Sequence, residues 1–317
     1  MSMSELFREC WYLTGPTASG KTAVGLELAR LMNAEILSLD SMAIFKGMDI
    51  GTDKPSVAEQ ALVPHHLIDL VEPGEEFSVA RYLDAAQEKI TEIRARGRQV
   101  LFVGGTPLYL KSMLRGLFEG PQADWEFREQ VEEEINRVGQ GALHERLQQI
   151  DPLSAARLHP NDTRRLIRAL EVYKLTGRPI SHFQLQFDEA LTSDECRVFV
   201  LERSVEELHE RINQRVEQML RTGLIEEVRG LLDRGIELGR TAQQAVGYRE
   251  VLALLAGECS ESEAMEQMKI RTRRFAKRQR TWFRSLSECR PVPVVGDEPP
   301  AAIAERIYAL GLASTSL

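Results

Sequence analysis

The stretch Gly15-Pro-Thr-Ala-Ser-Gly-Lys-Thr22 constrains the fold more than any other, because it spells the whole phosphate-loop pattern G-x-x-x-x-G-K-[ST]. Such a loop needs a strand to deliver the chain and a helix to carry it away. Residues 11–14 read as a short buried strand and residues 23–31 as a helix. This arrangement turns several backbone N–H groups and the positive end of a helix dipole toward one anion. Lys21 adds a point charge, and the Thr22 hydroxyl is placed to ligate Mg²⁺. Gly15, Pro16, Thr17, Ala18, Ser19, Gly20, Lys21 and Thr22 are therefore the candidate site for a di- or triphosphate group. The loop leaves open which bond breaks. P–O cleaves in transfer from ATP or GTP, and C–O cleaves where diphosphate leaves carbon.

The hydrophobic pattern then sets the organisation. Residues 34–39, 66–71 and 100–103 read as further strands, and a helix over 79–96 starts at an N-cap, Ser78, and ends at Gly97. Strands alternating with helices imply a parallel sheet covered on both faces, with ligands at its C-terminal edge. The alternation stops near Gly120-Pro121. From 125 to about 187 the pattern is helical and charged, broken at Asp151-Pro152, His159-Pro160 and Gly177-Arg-Pro179. A strand returns at 196–201, followed by helices over 205–222, 224–234, 242–256 and 261–286. An edge strand at 292–295 and a helix over 299–310 complete the reading. The expected fold class is α/β: a P-loop NTPase-like parallel sheet core flanked by helices, formed by 1–122 with 190–317. An all-helical insertion is expected at 123–189.

Three further places carry chemistry. Asp40 ends the second strand, which sets its carboxylate at the ligand edge beside the loop, able to bind Mg²⁺ or to act as general base. Gly104-Gly-Thr106 repeats the strand–glycine–helix arrangement and brings Thr106 to the same edge, with Pro107 at a helix N1 position. Arg164, Arg165 and Arg168 share roughly one helix face, either toward a ligand or in salt bridges of their own. The adjacent His65 and His66 point to opposite faces of a strand and make a poor metal pair.

Charge is distributed unevenly. The 317 residues carry a net −8, yet residues 269–284 hold eight Lys or Arg and no acidic residue. Plotted as a helix, Met268, Phe275, Gln279, Trp282, Phe283 and Leu286 gather on one arc and the cations spread opposite, a ridge suited to phosphate-backbone contact. Cys10, Cys196, Cys259 and Cys289 show no C-x-x-C spacing and read as reduced thiols. With no apolar run of spanning length and no signal region, no membrane segment is expected and a cytoplasmic location is.

Together these stretches resemble the tRNA dimethylallyltransferases, also called tRNA isopentenyltransferases. The matching pieces are the loop 15–22, Asp40-Ser-Met, Lys46-Gly-Met-Asp-Ile-Gly-Thr52 with Lys54-Pro55, and His65-His-Leu-Ile-Asp69. Gly104-Gly-Thr106 with Leu108-Tyr109, Arg165 through Arg168-Ala-Leu-Glu-Val-Tyr173, and Val246-Gly-Tyr-Arg249 complete the set, in the family's order across nearly the whole chain. The resemblance implies transfer of a dimethylallyl group from its diphosphate to the exocyclic amine of the adenine 3′ of the anticodon. It implies that the loop holds diphosphate and Mg²⁺, that Asp40 accepts the amine proton, and that Arg215 and Thr106 approach the diphosphate or the base. It implies tRNA anticodon stem-loop contacts from Asp40, Ser41, Met42, Ala43, Thr106, Arg128, Arg164, Arg165, Leu166, Ile167, Arg168, Gln244, Gly247, Tyr248 and Arg249. A monomer of bacterial type, without the zinc finger of eukaryotic relatives, is expected. Phe45 stands where the family carries a tyrosine, so any hydroxyl role is absent there.

Three rival readings share the loop. A small-molecule kinase using ATP leaves the basic ridge and the insertion unexplained. An adenylate isopentenyltransferase acting on free nucleotide would lack both. A non-catalytic RNA-binding module gives Asp40 no purpose beside the loop.

Overall fold

A computed structural model describes residues 3–116, 120–184 and 191–313. These divide into two compact units, one formed by residues 1–114 with 190–317 and the other by 115–189. The expected end of the insertion pattern near Phe187 lies outside the described residues.

Among the described residues the larger unit is built on six parallel strands: β1 (Trp11–Thr14), β2 (Ala34–Ser38), β3 (His65–His66), β4 (Gln99–Gly104), β5 (Arg197–Glu202) and β6 (Cys289–Pro293). Their order is β3-β2-β4-β1-β5-β6, which puts β1 and its following loop in the middle. Alternate side chains of β1 go to opposite faces, as strand geometry requires. Trp11 and Leu13 join a layer with the helices Lys21–Met32 and Pro300–Ala313. Tyr12 goes the other way and stacks on Phe102, ring centroids 5.0 Å apart. A second buried cluster joins the loop residues Ile44, Phe45 and Met48 to the helices Val205–Arg221, Leu224–Asp233 and Glu261–Arg284.

Several elements differ from their sequence pattern for local reasons. The strand expected over 66–71 is cut to two residues, because Leu67 and Asp69 take left-handed backbone, φ +61° and +53°. The helix expected over 242–256 splits into Arg240–Gln243 and Tyr248–Leu255 at Gly247, φ +97°. The last strand begins three residues earlier than its apolar run, paired to β5 from Cys289. Ser78 and Pro107 take the cap and helix-start positions their types favour. Two short helices, Met3–Arg8 and Val57–Leu62, carry no strong periodic signal.

Among the described residues the smaller unit contains five helices: Trp125–Val138, Gln140–Ile150, Pro152–Arg157, Thr163–Thr176 and Ile180–Gln184. Phe127, Val131, Leu143, Leu147, Leu166 and Leu170 form its core. The helix Thr163–Thr176 starts where Asp162 caps the amide of Arg165.

Candidate active site

The carboxyl ends of β1, β2 and β4 converge, and hydrogen bonds tie their loops into one frame. Gly15 leaves β1 at φ +146°, a conformation costly for residues with a side chain, and a Cβ there would sit 2.8 Å from the Leu201 carbonyl. Gly104 is equally constrained, since a Cβ would collide with the backbone of Leu39. That close approach lets the Thr106 amide donate to Leu39 O at 3.1 Å. The Ser41 amide in turn donates to Thr106 Oγ1 at 3.1 Å. Thr14 Oγ1 donates to Gly104 O at 2.8 Å, linking β1 to β4.

The phosphate loop is held by side chains from much later in the chain. Arg203 Nε donates to Ser19 O at 3.1 Å, and Arg211 Nε to Ala18 O at 2.8 Å. Arg215 Nη1 donates to Thr17 Oγ1 at 2.9 Å. Gln279, buried on the helix Glu261–Arg284, accepts from the Thr17 amide at 2.8 Å and donates to Gly105 O at 2.6 Å. The arginines thus take up the carbonyls of Ala18 and Ser19, while the Thr17 and Ser19 amides are already bonded to Gln279 and Pro16 O. Lys21 folds back on Pro16 O at 2.8 Å, and burial, with Arg215 nearby, lowers its pKa to about 8. Asp40 and Asp53 act in the opposite direction on it.

Asp40 lies two residues past the end of β2, which closes at Ser38. One oxygen accepts from the Met42 amide at 2.8 Å. Burial raises its pKa above the ordinary aspartate value, and the Met42 and Ala43 amides with Lys21 and Arg215 offset part of that rise. A carboxylate both desolvated and close to two cations is a poised proton acceptor.

The remaining candidate residues separate into groups. Ser41 and Met42 are half-buried beside Asp40, while Ala43 belongs to the core. Gln244 and Arg249 are exposed, whereas Tyr248 is fully buried and donates its hydroxyl to Glu227. In the smaller unit Arg164 and Arg165 are exposed, but Leu166 and Ile167 point into the core, so their side chains support the helix instead of offering contacts. Arg128 and Arg168 converge on Glu171, which is fully buried. Arg128 makes a two-pronged pair with it at 2.7 and 2.8 Å, and Arg168 adds a third bond at 2.5 Å. Burial alone would raise the Glu171 pKa, yet the two guanidinium groups and the Asp124 amide hold it below the usual range. Glu171→Ala is expected to cost about 3–5 kcal/mol of stability by leaving two cations without their acceptor. Urea unfolding measures this, and a loss under about 1 kcal/mol would mean the two arginines are free to serve another partner.

The basic ridge also divides. Lys269 pairs with Glu217 and Glu266, Arg271 with Glu250, Arg284 with Glu202, and Arg273 donates to Asn213. Arg274, Lys277 and Arg278 remain exposed. Phe275, expected on the apolar arc, is itself exposed with Arg278 over its ring, because the buried arc runs through Met268, Ala276, Gln279 and Phe283. His65 bonds Val63 O and His66 bonds Glu35, so both histidines serve the structure.

Sequence reasoning did not single out Arg203, Arg211, Gln279, Glu227 or Glu171 as site residues. Two signals were available: Arg211 and Arg215 stand one helical turn apart, and Gln279 is polar within an apolar arc.

A parallel α/β core with a phosphate-loop sequence facing a strand-end carboxylate defines the class, and comparison with known proteins narrows it. The IPP transferase family model matches residues 43–286, and the chain belongs to that family. It is 52% identical over 294 residues to the tRNA dimethylallyltransferase of Rhodopirellula baltica, covering 90% of this chain and 88% of that one. It is 47% identical to the tRNA dimethylallyltransferase of Geobacter sulfurreducens, covering 86% and 88%. Among solved structures, the full-length tRNA isopentenylpyrophosphate transferase of Bacillus halodurans superposes with a TM-score of 0.69 at 40% identity, covering 97% of this chain and 98% of that one. A eukaryotic dimethylallyltransferase acting on tRNA superposes with a TM-score of 0.75 at 26% identity, covering 96% and 79%.

Proposed function

We propose that this protein transfers a dimethylallyl group from dimethylallyl diphosphate to the exocyclic amine of the adenine 3′ of the anticodon in tRNA. The observation that carries this reading is the frame joining the Asp40 edge, Thr106 and the phosphate loop, with the charges of Lys21 in the loop and Arg215 bonded to it both acting on Asp40. The relatives' names support the same chemistry. The allylic C–O bond breaks, its electron pair leaves with the diphosphate, a C–N bond forms, and Asp40 takes the amine proton. An aryl amine is a weak nucleophile, so orientation and leaving-group neutralisation by Lys21 and Arg215 carry most of the rate. Thr106 Oγ1, fixed by the Ser41 amide, orients whatever meets the Asp40 edge. The target base must leave its stack to present its amine, which a single-stranded loop permits at low cost.

Mg²⁺ fits the residues present. Among the described residues no group of three or more His, Cys, Asp or Glu is placed to hold a metal ion, and we propose that phosphate oxygens supply most of the ligands to Mg²⁺. The Thr22 hydroxyl is the proposed protein ligand to the ion, and the Ser19 hydroxyl of the same loop is buried with no hydrogen-bond partner. Bound there, the ion neutralises diphosphate charge.

Exposed Arg164 and Arg165 of the smaller unit and Arg274, Lys277 and Arg278 of the larger are the proposed phosphate-backbone contacts. Among the described residues no helix is long and apolar enough to cross a membrane, and we place the activity in the cytoplasm. The test is transfer of radiolabel from dimethylallyl diphosphate to unmodified tRNA with Mg²⁺. Label is expected in tRNA and absent from AMP. Label in AMP would favour a free-nucleotide enzyme, and ATP consumption without prenyl transfer would restore a kinase.

A further inference from the structure

Arg215 is gripped from two directions. Its guanidinium donates to Thr17 Oγ1 of the phosphate loop and lies 3.2 Å from the Asp53 carboxylate. Asp53 lies outside the phosphate loop, with its side chain 55% exposed. The backbone that presents it is tightly fixed. Glu227 accepts the amides of Asp49, Ile50 and Gly51 at 2.9, 2.7 and 3.4 Å, and the Tyr248 hydroxyl as well. Lys54, the next residue, buries its ammonium group among Phe45 O, Asp49 and Asp69 at 2.5, 2.7 and 2.6 Å. Asp53 itself takes left-handed backbone at φ +57°, which Asp and Asn tolerate better than most residues. A carboxylate is thus held against Arg215 by a segment with little room to withdraw it.

We infer that Asp53 is a positioning residue that presets Arg215 on the phosphate loop and competes with diphosphate for it, loosening the hold on the released product. The inference rests on the reading of the loop as a diphosphate cradle. An exposed ion pair is a weak clamp. That suits a competitor which orients the guanidinium in the empty loop and yields to a multiply charged ligand. Its negative charge also opposes the incoming anion through space.

The test is calorimetric titration of inorganic diphosphate with Mg²⁺ at pH 7 and low salt. It compares the unaltered protein, Asp53→Asn, Arg215→Gln and the double variant. Asn keeps the size and the left-handed backbone and removes the charge. Asp53→Asn is expected to bind diphosphate on the order of fivefold tighter, a gain that shrinks with added salt. In the Arg215→Gln background the gain is expected to shrink to the part that through-space repulsion contributes, which a merely structural role for Asp53 would not produce. Equal or weaker binding by Asp53→Asn, or an undiminished gain without Arg215, overturns the inference. Failure of the unaltered protein to bind diphosphate would remove the cradle reading and this inference with it.

Discussion

Asp40→Asn is expected to slow prenyl transfer by about 10²- to 10⁴-fold, the usual contribution of a positioned general base, with tRNA affinity changed by no more than about threefold. Asn retains an oxygen for the Met42 amide, so the strand end keeps its shape and only proton acceptance is lost. The pH dependence gives an independent reading. Burial raises the Asp40 pKa, so the acid limb of the pH–rate profile should lie above the ordinary aspartate value. In the Asn variant that limb should vanish. Stability should move oppositely to rate. For a carboxyl whose pKa is raised by folding, the stabilising contribution is full below the unfolded value and is lost as pH rises through the folded one. A permanently neutral Asn escapes this loss, so the variant should melt higher at neutral pH and equally in acid. Equal losses of rate and tRNA affinity would instead make Asp40 structural.

Lys21→Met should weaken diphosphate binding on the order of 10²- to 10³-fold, as expected for removing a cation aimed at a leaving group in a water-poor site. Here too pH supplies the discriminating measurement. With a pKa lowered to about 8, Lys21 is charged at neutral pH and loses its proton in the mildly alkaline range. Diphosphate affinity should therefore fall as pH rises through that value, and binding above it should take up a proton. The Met variant should show neither effect. A wild-type affinity flat from pH 7 to about 9 would mean that Lys21 does not carry the charge the anion meets.

The core of the fold was legible because its signals are local. The phosphate loop, the Asp40 strand end and the Gly104-Gly105 turn each declare themselves within ten residues, and the parallel-sheet rule brings them to one edge. What was illegible depends on distance along the chain or on competition between contacts. The spacing of Arg168 and Glu171 on one helix allows a salt bridge, but nothing near Arg128 in sequence announces that the same buried carboxylate takes it up from 43 residues away, so two basic residues suited to RNA prove to be occupied inside their own unit. Leu67 and Asp69 shorten β3 through backbone conformations that hydropathy does not encode. Gln279 shows the limit most clearly. Its place among apolar neighbours is visible, but its two partners, Thr17 and Gly105, become neighbours only when the sheet has formed.

Chain order puts the phosphate loop far ahead of the side chains that hold it. Arg203, Arg211 and Arg215 reach back to it across 184, 193 and 198 residues, and Gln279 across 262. β5, the partner of β1 on that side, follows the whole helical insertion. A growing chain halted before β5 would display the complete motif while its loop carbonyls lacked their arginines and β1 kept an open edge. Such edges invite wrong pairing, and contacts of this separation form slowly. Synthesis of this protein therefore has a long vulnerable interval, in which the motif is already made and cannot yet grip an anion.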